Sequence, residues 1–229
     1  MKKTILFTVL FFCISVNAQS EIETNNQDSK SDTFKISVFP AFSELDFGNI
    51  NNALKNNNLP QVKNDLQFTT YGSISFPLAG INWDITGGIS RGSNESNGYS
   101  LEQRAMYLEW GFELYSFHKN RHSVFFNIAY GGMSYRIYIH DNGNTGSFFD
   151  ALEEFGGSVK MESKINRYIA LKAGYDWAFD KNENFLLGVR FGYRIGLGKE
   201  KFKIKGHQYS DSPESSANGL FFGISLSVR

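Results

Sequence analysis

Cysteine is almost missing from this 229-residue chain; Cys13 is the single one. A disulfide framework and a cysteine metal site are therefore excluded. Charge of one sign is missing too, with 23 basic against 23 acidic side chains, which argues against a nucleic-acid partner. No apolar run is long enough for a membrane helix, and the mean hydropathy of −0.32 argues against a bundle of such helices. Proline is scarce: four stand against 22 glycines and 22 phenylalanines. Abundant aromatics and glycine point to strands and tight turns. The length allows one domain, or two small ones.

The first segment reads as targeting. Met1-Lys2-Lys3 is a short basic start, and Thr4–Val16 is an apolar run. Val16-Asn17-Ala18 then places small or compact residues at the positions a signal peptidase reads. Residues 1–18 are thus expected to be a secretory signal peptide, and Cys13 leaves with it. Bulky Phe12, directly before Cys13, argues against a lipid-anchoring cysteine. Residues 19–32 carry one large apolar side chain, Ile22, and read as a flexible periplasmic leader. Residues 33–229 form the folded domain.

From Phe34 onward the dominant period is two. Leu220, Phe222, Ile224, Leu226 and Val228 share one face, as do Phe185, Leu187, Val189, Phe191, Tyr193, Ile195 and Leu197. Glycine, serine and arginine take much of the opposite faces. Eight strands are predicted, over 34–46, 66–77, 82–91, 102–117, 122–140, 158–178, 185–198 and 219–229. Connections after strands two, four and six are short. Those after one, three, five and seven (47–65, 92–101, 141–157 and 199–218) are long. The prediction is an all-β fold: an eight-stranded antiparallel up-and-down transmembrane β-barrel with short periplasmic turns and longer outer loops. Residues 49–58 and 148–155 read as brief helical turns within loops. Pro40 lacks an N–H and is expected at a bulge or strand end.

The apolar faces could look inward, as in a soluble ligand-binding barrel, or outward into lipid. The residues opposite them are mostly Gly, Ser, Ala and Tyr, with a balanced set of charges: Lys35, Asp84, Glu109, Glu113, Lys172, Asp176, Arg190 and Arg194. Eight strands leave an interior just wide enough for side chains to fill, and a neutral set of paired ions suits it. The apolar faces are therefore assigned to lipid. Glu109 and Glu113 on strand four, and Arg190 and Arg194 on strand seven, have matching spacing that would carry two ion bridges across the bore. Trp83, Trp110, Trp177, Tyr130, Tyr175 and Tyr193 are expected as aromatic girdles at the water–lipid boundaries. The segments 122–140 and 158–178 exceed a spanning strand, so they are expected to project as a hairpin open to strand addition, or to break into loop.

The signal ending VNAQ, the first-loop pattern DFGNINNALKNNNLP and the closing strand GLFFGISLSVR resemble the small outer-membrane β-barrel proteins of the Bacteroidota, in the broad OmpA/OmpX-like, porin-family group. The resemblance covers residues 33–229. It implies insertion by the barrel-assembly machinery reading the closing strand, although this strand ends Val228-Arg229 where many end in Phe.

The four histidines, His118, His122, His140 and His207, are scattered and read as surface residues. His207-Gln208-Tyr209-Ser210 could imitate a lipid-modifying Ser–His pair but has only Asp211 beside it. Asp141–Asn144 lacks the closing acid of a calcium loop. The run Lys199–Lys205 could meet lipid phosphates or stay solvated. The expectation is a monomeric, non-enzymatic outer-membrane protein without cofactor. Outer-membrane lipid is its surround, its role is envelope-structural or surface interaction, and a surface partner would be reached through the outer loops. A narrow gated channel and a lipid-modifying enzyme are the alternatives.

Overall fold

The computed structural model describes residues 34–62, 67–78, 81–119, 121–141, 158–204, 208 and 212–229. The expected signal peptide and leader, the expected helical turn at 148–155 and His207, Tyr209, Ser210 and Asp211 lie outside the described residues. The elements in chain order are β1 (Lys35–Ser43), α1 (Gly48–Asn56), β2 (Gln67–Leu78), β3 (Ile81–Ser96), β4 (Tyr99–Lys119), β5 (His122–Asp141), β6 (Ser158–Ser163), β7 (Asn166–Ala178), β8 (Phe185–Gly196), β9 (Glu200–Ile204), β10 (Glu214–Ser215) and β11 (Gly219–Val228).

Eight of these strands close into an antiparallel barrel in the cyclic order β1-β2-β3-β4-β5-β7-β8-β11. The first and last strands complete the ring, with Ile36 opposite Val228 and Phe42 opposite Phe222. Closure leaves no unpaired sheet edge within the ring. The short β2–β3, β4–β5 and β7–β8 connections gather at one end with the start of β1 and the end of β11, here the turn end; the opposite end is the loop end. Among the described residues no helix is long and apolar enough to cross a membrane.

Three features depart from the sequence-based expectation. The 158–178 strand breaks at Lys164-Ile165 into β6 and β7. The lower part of β5 pairs with β7 (Met133 opposite Asn166), and its upper part pairs with β6 (Arg136 opposite Glu162). The partner of β5 thus changes in mid-strand, and β6, β9 and β10 extend the sheet above the barrel. Among the described residues the outer edge of β6 is not open over Met161–Ser163, where it pairs with β9, with Glu162 opposite Lys203. Second, the 92–101 segment is not a long loop. β3 and β4 run on to a two-residue turn at Asn97-Gly98, where both φ angles are positive, 55° and 80°. Asn-Gly flanked by strands is the type I′ hairpin signature, whose twist matches that of the strands. Third, Pro40 sits in the middle of β1. It stays opposite Thr70 of β2, while the ladder to β11 lapses between Val38–Leu226 and Ala41–Gly223 without losing register. The missing N–H falls in that lapse.

At the loop end, α1 covers the bore. Asp46 Oδ1 accepts the Gly48 N–H at 3.2 Å, and Ile50 and Leu54, one turn apart, are buried. Asn51 clamps the backbone of Val62, accepting its N–H at 2.8 Å and donating to its carbonyl at 2.7 Å. Ser216 donates to Asp46 Oδ2 at 2.9 Å, which fastens the first loop to the last. At the turn end, Asp180 accepts the Phe185 N–H at 2.8 Å, and that bond holds its carboxyl below the ordinary range. Its stabilising effect is present above the unfolded value, about 3.9, and is lost as pH falls through the lowered folded value.

Gly98→Val is expected to destabilise the protein by about 1–3 kcal/mol, because a β-branched residue strongly resists positive φ. The urea midpoint of the refolded protein measures this, and Asn97→Gly at the same turn is expected to leave it nearly unchanged.

Candidate functional site

The bore is filled by the balanced charges. Asp176, Arg194, Glu109 and Lys35 are only 0%, 1%, 2% and 2% exposed. Nearest the turn end, Lys35 of β1 meets Glu113 of β4 at 2.9 Å and Asp176 of β7 at 3.7 Å, and Arg190 of β8 meets Asp176 at 2.6 Å. The Phe125 ring lies between the two cations, 4.7 Å from Lys35 Nζ and 4.5 Å from the Arg190 guanidinium. One layer up, Lys172 of β7 joins Glu109 of β4 at 2.5 Å and Asp84 of β3 at 3.5 Å. Ser75 and Thr86 donate to Asp84 at 3.1 Å and 2.8 Å, and Tyr168 donates to Glu109 at 2.9 Å.

Above these pairs, Arg194 donates through Nε to Glu109 Oε1 at 3.3 Å and through Nη2 to the Tyr71 hydroxyl. Aromatic rings box its guanidinium: Phe221 and Tyr107 at 4.5 Å and 4.7 Å, Tyr71 and Tyr168 at 5.6 Å each. Ring faces stabilise a cation that has left water. The two-bridge arrangement read from spacing differs in its partners. Arg194 does meet Glu109, but Arg190 turns to Asp176 and Glu113 turns to Lys35. Spacing along a strand fixes which residues face the bore; the barrel stagger decides who meets whom.

The outward face below mid-height is apolar. Leu108 is 65% exposed, with Trp110 and Leu226 at 61% each. All six girdle candidates lie outside the bore, but not as two rings. Trp83, Tyr175 and Trp177 stand close to the turn end, with Tyr175 opposite Val124 and Trp177 opposite His122. Tyr193 lies near the loop end of β8, opposite Leu220. Trp110 and Tyr130 face one another in mid-belt, three outward positions below Arg104 and Arg136. Sequence phase assigns a side and not a height, so their level was beyond its reach.

The two faces then exchange character. Along β4 the outward residues run Leu114, Phe112, Trp110, Leu108, Met106 and then Arg104 and Glu102; the inward ones run Glu113, Gly111, Glu109, Tyr107 and then Ala105, Gln103, Leu101. β5 does the same, passing outward from Ile128 and Tyr130 to Arg136, and inward from Asn127 to Met133, Tyr135, Ile137 and Ile139. The upper inward residues pack with Phe47, Ile50, Leu54, Val62, Met161 and Phe202 in a second, apolar core. Phe47 meets the Tyr135 ring at 5.0 Å. The phase switch near Met106 and Gly132 is written in the sequence, and reading each strand with one fixed phase hides it.

Of the histidines, His122 bonds the Tyr175 hydroxyl at 2.5 Å, at the turn end. Among the described residues no three His, Cys, Asp or Glu side chains converge as a metal site.

Solved structures of similar shape include Neisserial surface protein A (9% identity, 85% of this chain and 96% of that one, TM-score 0.47), OprG from Pseudomonas aeruginosa (9%, 86% and 97%, 0.45) and Ail of Yersinia pestis (12%, 85% and 97%, 0.37). At these scores the fold assignment rests on the strand pairings themselves. No protein-family model matches the sequence, and no curated protein does.

Glu109→Gln removes the anion shared by Lys172 and Arg194. It is expected to destabilise the barrel by about 3–5 kcal/mol, as for a buried pair that loses one partner. Glu102→Gln, at an outward pair with Arg104 (2.8 Å), is expected to leave the urea midpoint unchanged. Equal effects of the two would contradict this ranking.

Proposed function

We propose that the chain is an integral outer-membrane β-barrel protein without a catalytic role, which serves the envelope as a structural or surface-interaction element through its loop end. The observation that carries this reading is the continuous apolar belt around a polar, ion-paired bore. In water such a belt would be an exposed patch far larger than soluble proteins carry. In hydrocarbon it is the ordinary lipid face of a spanning barrel, and the closed strand ring pairs the backbone of each strand with both neighbours, apart from the short lapse at Pro40. Short turns would face the periplasm, and α1 with the β6-β9-β10 extension would stand outside. The resemblance to small Bacteroidota barrels and the signal-like start of the chain support the same placement.

The channel reading has less behind it. The bore is crossed by ion pairs at two levels, sealed by the boxed Arg194 and covered by the apolar core under α1. Opening it would require breaking buried pairs and lifting a packed helix, each costing several kcal/mol. The protein is therefore assigned as non-conducting.

Cell fractionation of the full-length chain is expected to place it in the outer membrane, with faster gel migration before boiling than after. In planar bilayers the refolded protein is expected to show no steady conductance. A soluble periplasmic protein without a mobility shift would overturn the membrane assignment, and well-defined conductance steps would restore the channel.

A further inference from the structure

At the level where the faces exchange, Arg91 of β3, Arg104 of β4 and Arg136 of β5 lie directly opposite one another in register, all on the outward face. Neighbouring strands are about 4.8 Å apart, so the three guanidinium stems rise side by side. Like charges directly opposite across a sheet are destabilising. Two carboxylates lie nearby: Glu102 pairs with Arg104 at 2.8 Å, and Glu162, opposite Arg136, pairs with Lys160 at 2.8 Å. Among the described residues neither Arg91, Arg136 nor Arg167 has a carboxylate within salt-bridge distance. The row therefore keeps an excess of positive charge, to which exposed Lys164 and Arg167 add on the β7 side.

Directly below the row the outer surface is indented by a groove of about 600 Å³. Met106, Leu108 and Trp110 of β4 form one wall and Tyr130 another, with Ile165 and Arg167 at the far rim. Its floor is Gly132, opposite both Leu108 and Arg167; a Cβ there would come within 2.6 Å of Ile165 Cγ2. The change of partner at Lys164-Ile165, where β6 gives way to β7, opens the notch. An apolar slot thus runs down the belt from a rank of arginines.

Resting on the membrane reading above, the geometry points to a specific lipid site: the groove takes an acyl chain of a phosphorylated outer-leaflet lipid, whose phosphate is held by Arg104, Arg136 and Arg167. Guanidinium groups bind phosphate oxygens in pairs, and the apolar walls suit hydrocarbon. A bridging anion also removes the repulsion along the row.

The test uses the full-length chain refolded in neutral detergent, with native mass spectrometry as readout. The probes are diphosphoryl lipid A, the same lipid with its phosphates removed, and inorganic pyrophosphate. Diphosphoryl lipid A is expected to bind at least about tenfold more tightly than its dephosphorylated form, the worth of one charge-assisted contact, and pyrophosphate is expected not to compete. Arg136→Gln and Arg167→Gln are each expected to weaken binding about tenfold. Arg121→Gln, an exposed residue in the β4–β5 turn, is expected to leave it unchanged. Equal binding of the dephosphorylated lipid, full competition by pyrophosphate, or an equal loss in Arg121→Gln would each overturn the site. Wild-type protein lacking the heat-dependent gel shift would instead overturn the membrane reading; a normal shift without discrimination between the lipids overturns the site alone. The wild-type comparison of lipids stands even if a variant fails to fold.

Discussion

Successive side chains of a β-strand point to opposite faces, and this chain assigns the two faces opposite chemistry on either side of one level. Below it, apolar side chains look out and charges look in; above it, charges look out and apolar side chains look in. Because the period of two holds through this level in both β4 and β5, the exchange needs no kink or bulge there, only a change in which phase carries the large apolar residues. Everything else follows from where that level falls. The lower segment can meet hydrocarbon, the upper segment can stand in water with a core of its own, and the arginine row marks the seam.

The filled bore depends on neutrality. Four acids and four bases enter it, and each layer closes its own pairs: Lys35, Arg190, Asp176 and Glu113 near the turn end, Lys172, Asp84, Glu109 and Arg194 above. Removing Glu109 leaves Arg194, and removing Asp176 leaves Arg190, without a carboxylate among the described residues in a place water does not reach, while Lys35 and Lys172 each bridge two acids, which is why such groups act as a unit. Arg194 is the hinge between the two regimes. Its lower edge belongs to the ion network through Glu109, and its faces belong to the aromatic layer that begins the upper core.

Much of this was legible in the sequence. The strand phases of β4, β7 and β8 correctly separate inward from outward residues, because a half-buried strand must alternate whatever its neighbours are. Heights, partners and breaks were not legible in the same way. Trp110 and Tyr130 are outward by phase, yet mid-belt by register. Arg190 finds Asp176 because its neighbour across the ladder is β7, a fact of topology. The split at Lys164-Ile165 depends on β5 having two partners in succession, a non-local choice. Two signals were present and local: Asn97-Gly98 as a tight hairpin turn, and the change of hydrophobic phase at Met106 and Ser134. Pro40 shows the opposite case, a local rule that tertiary pairing accommodates in mid-strand by dropping the ladder on one side only.

The most direct measurement is a spin-label scan of the outward positions of β5, from Val124 to His140, in a background with Cys13 replaced and the protein reconstituted in phospholipid bilayers. The account predicts that labels at 124, 126, 128 and 130 are reached by oxygen dissolved in the bilayer, and that labels at 136, 138 and 140 are reached by a water-soluble nickel chelate. The crossover falls at 132–134. Chelate access at 128 and 130 equal to that at 138 would contradict the lipid-facing belt.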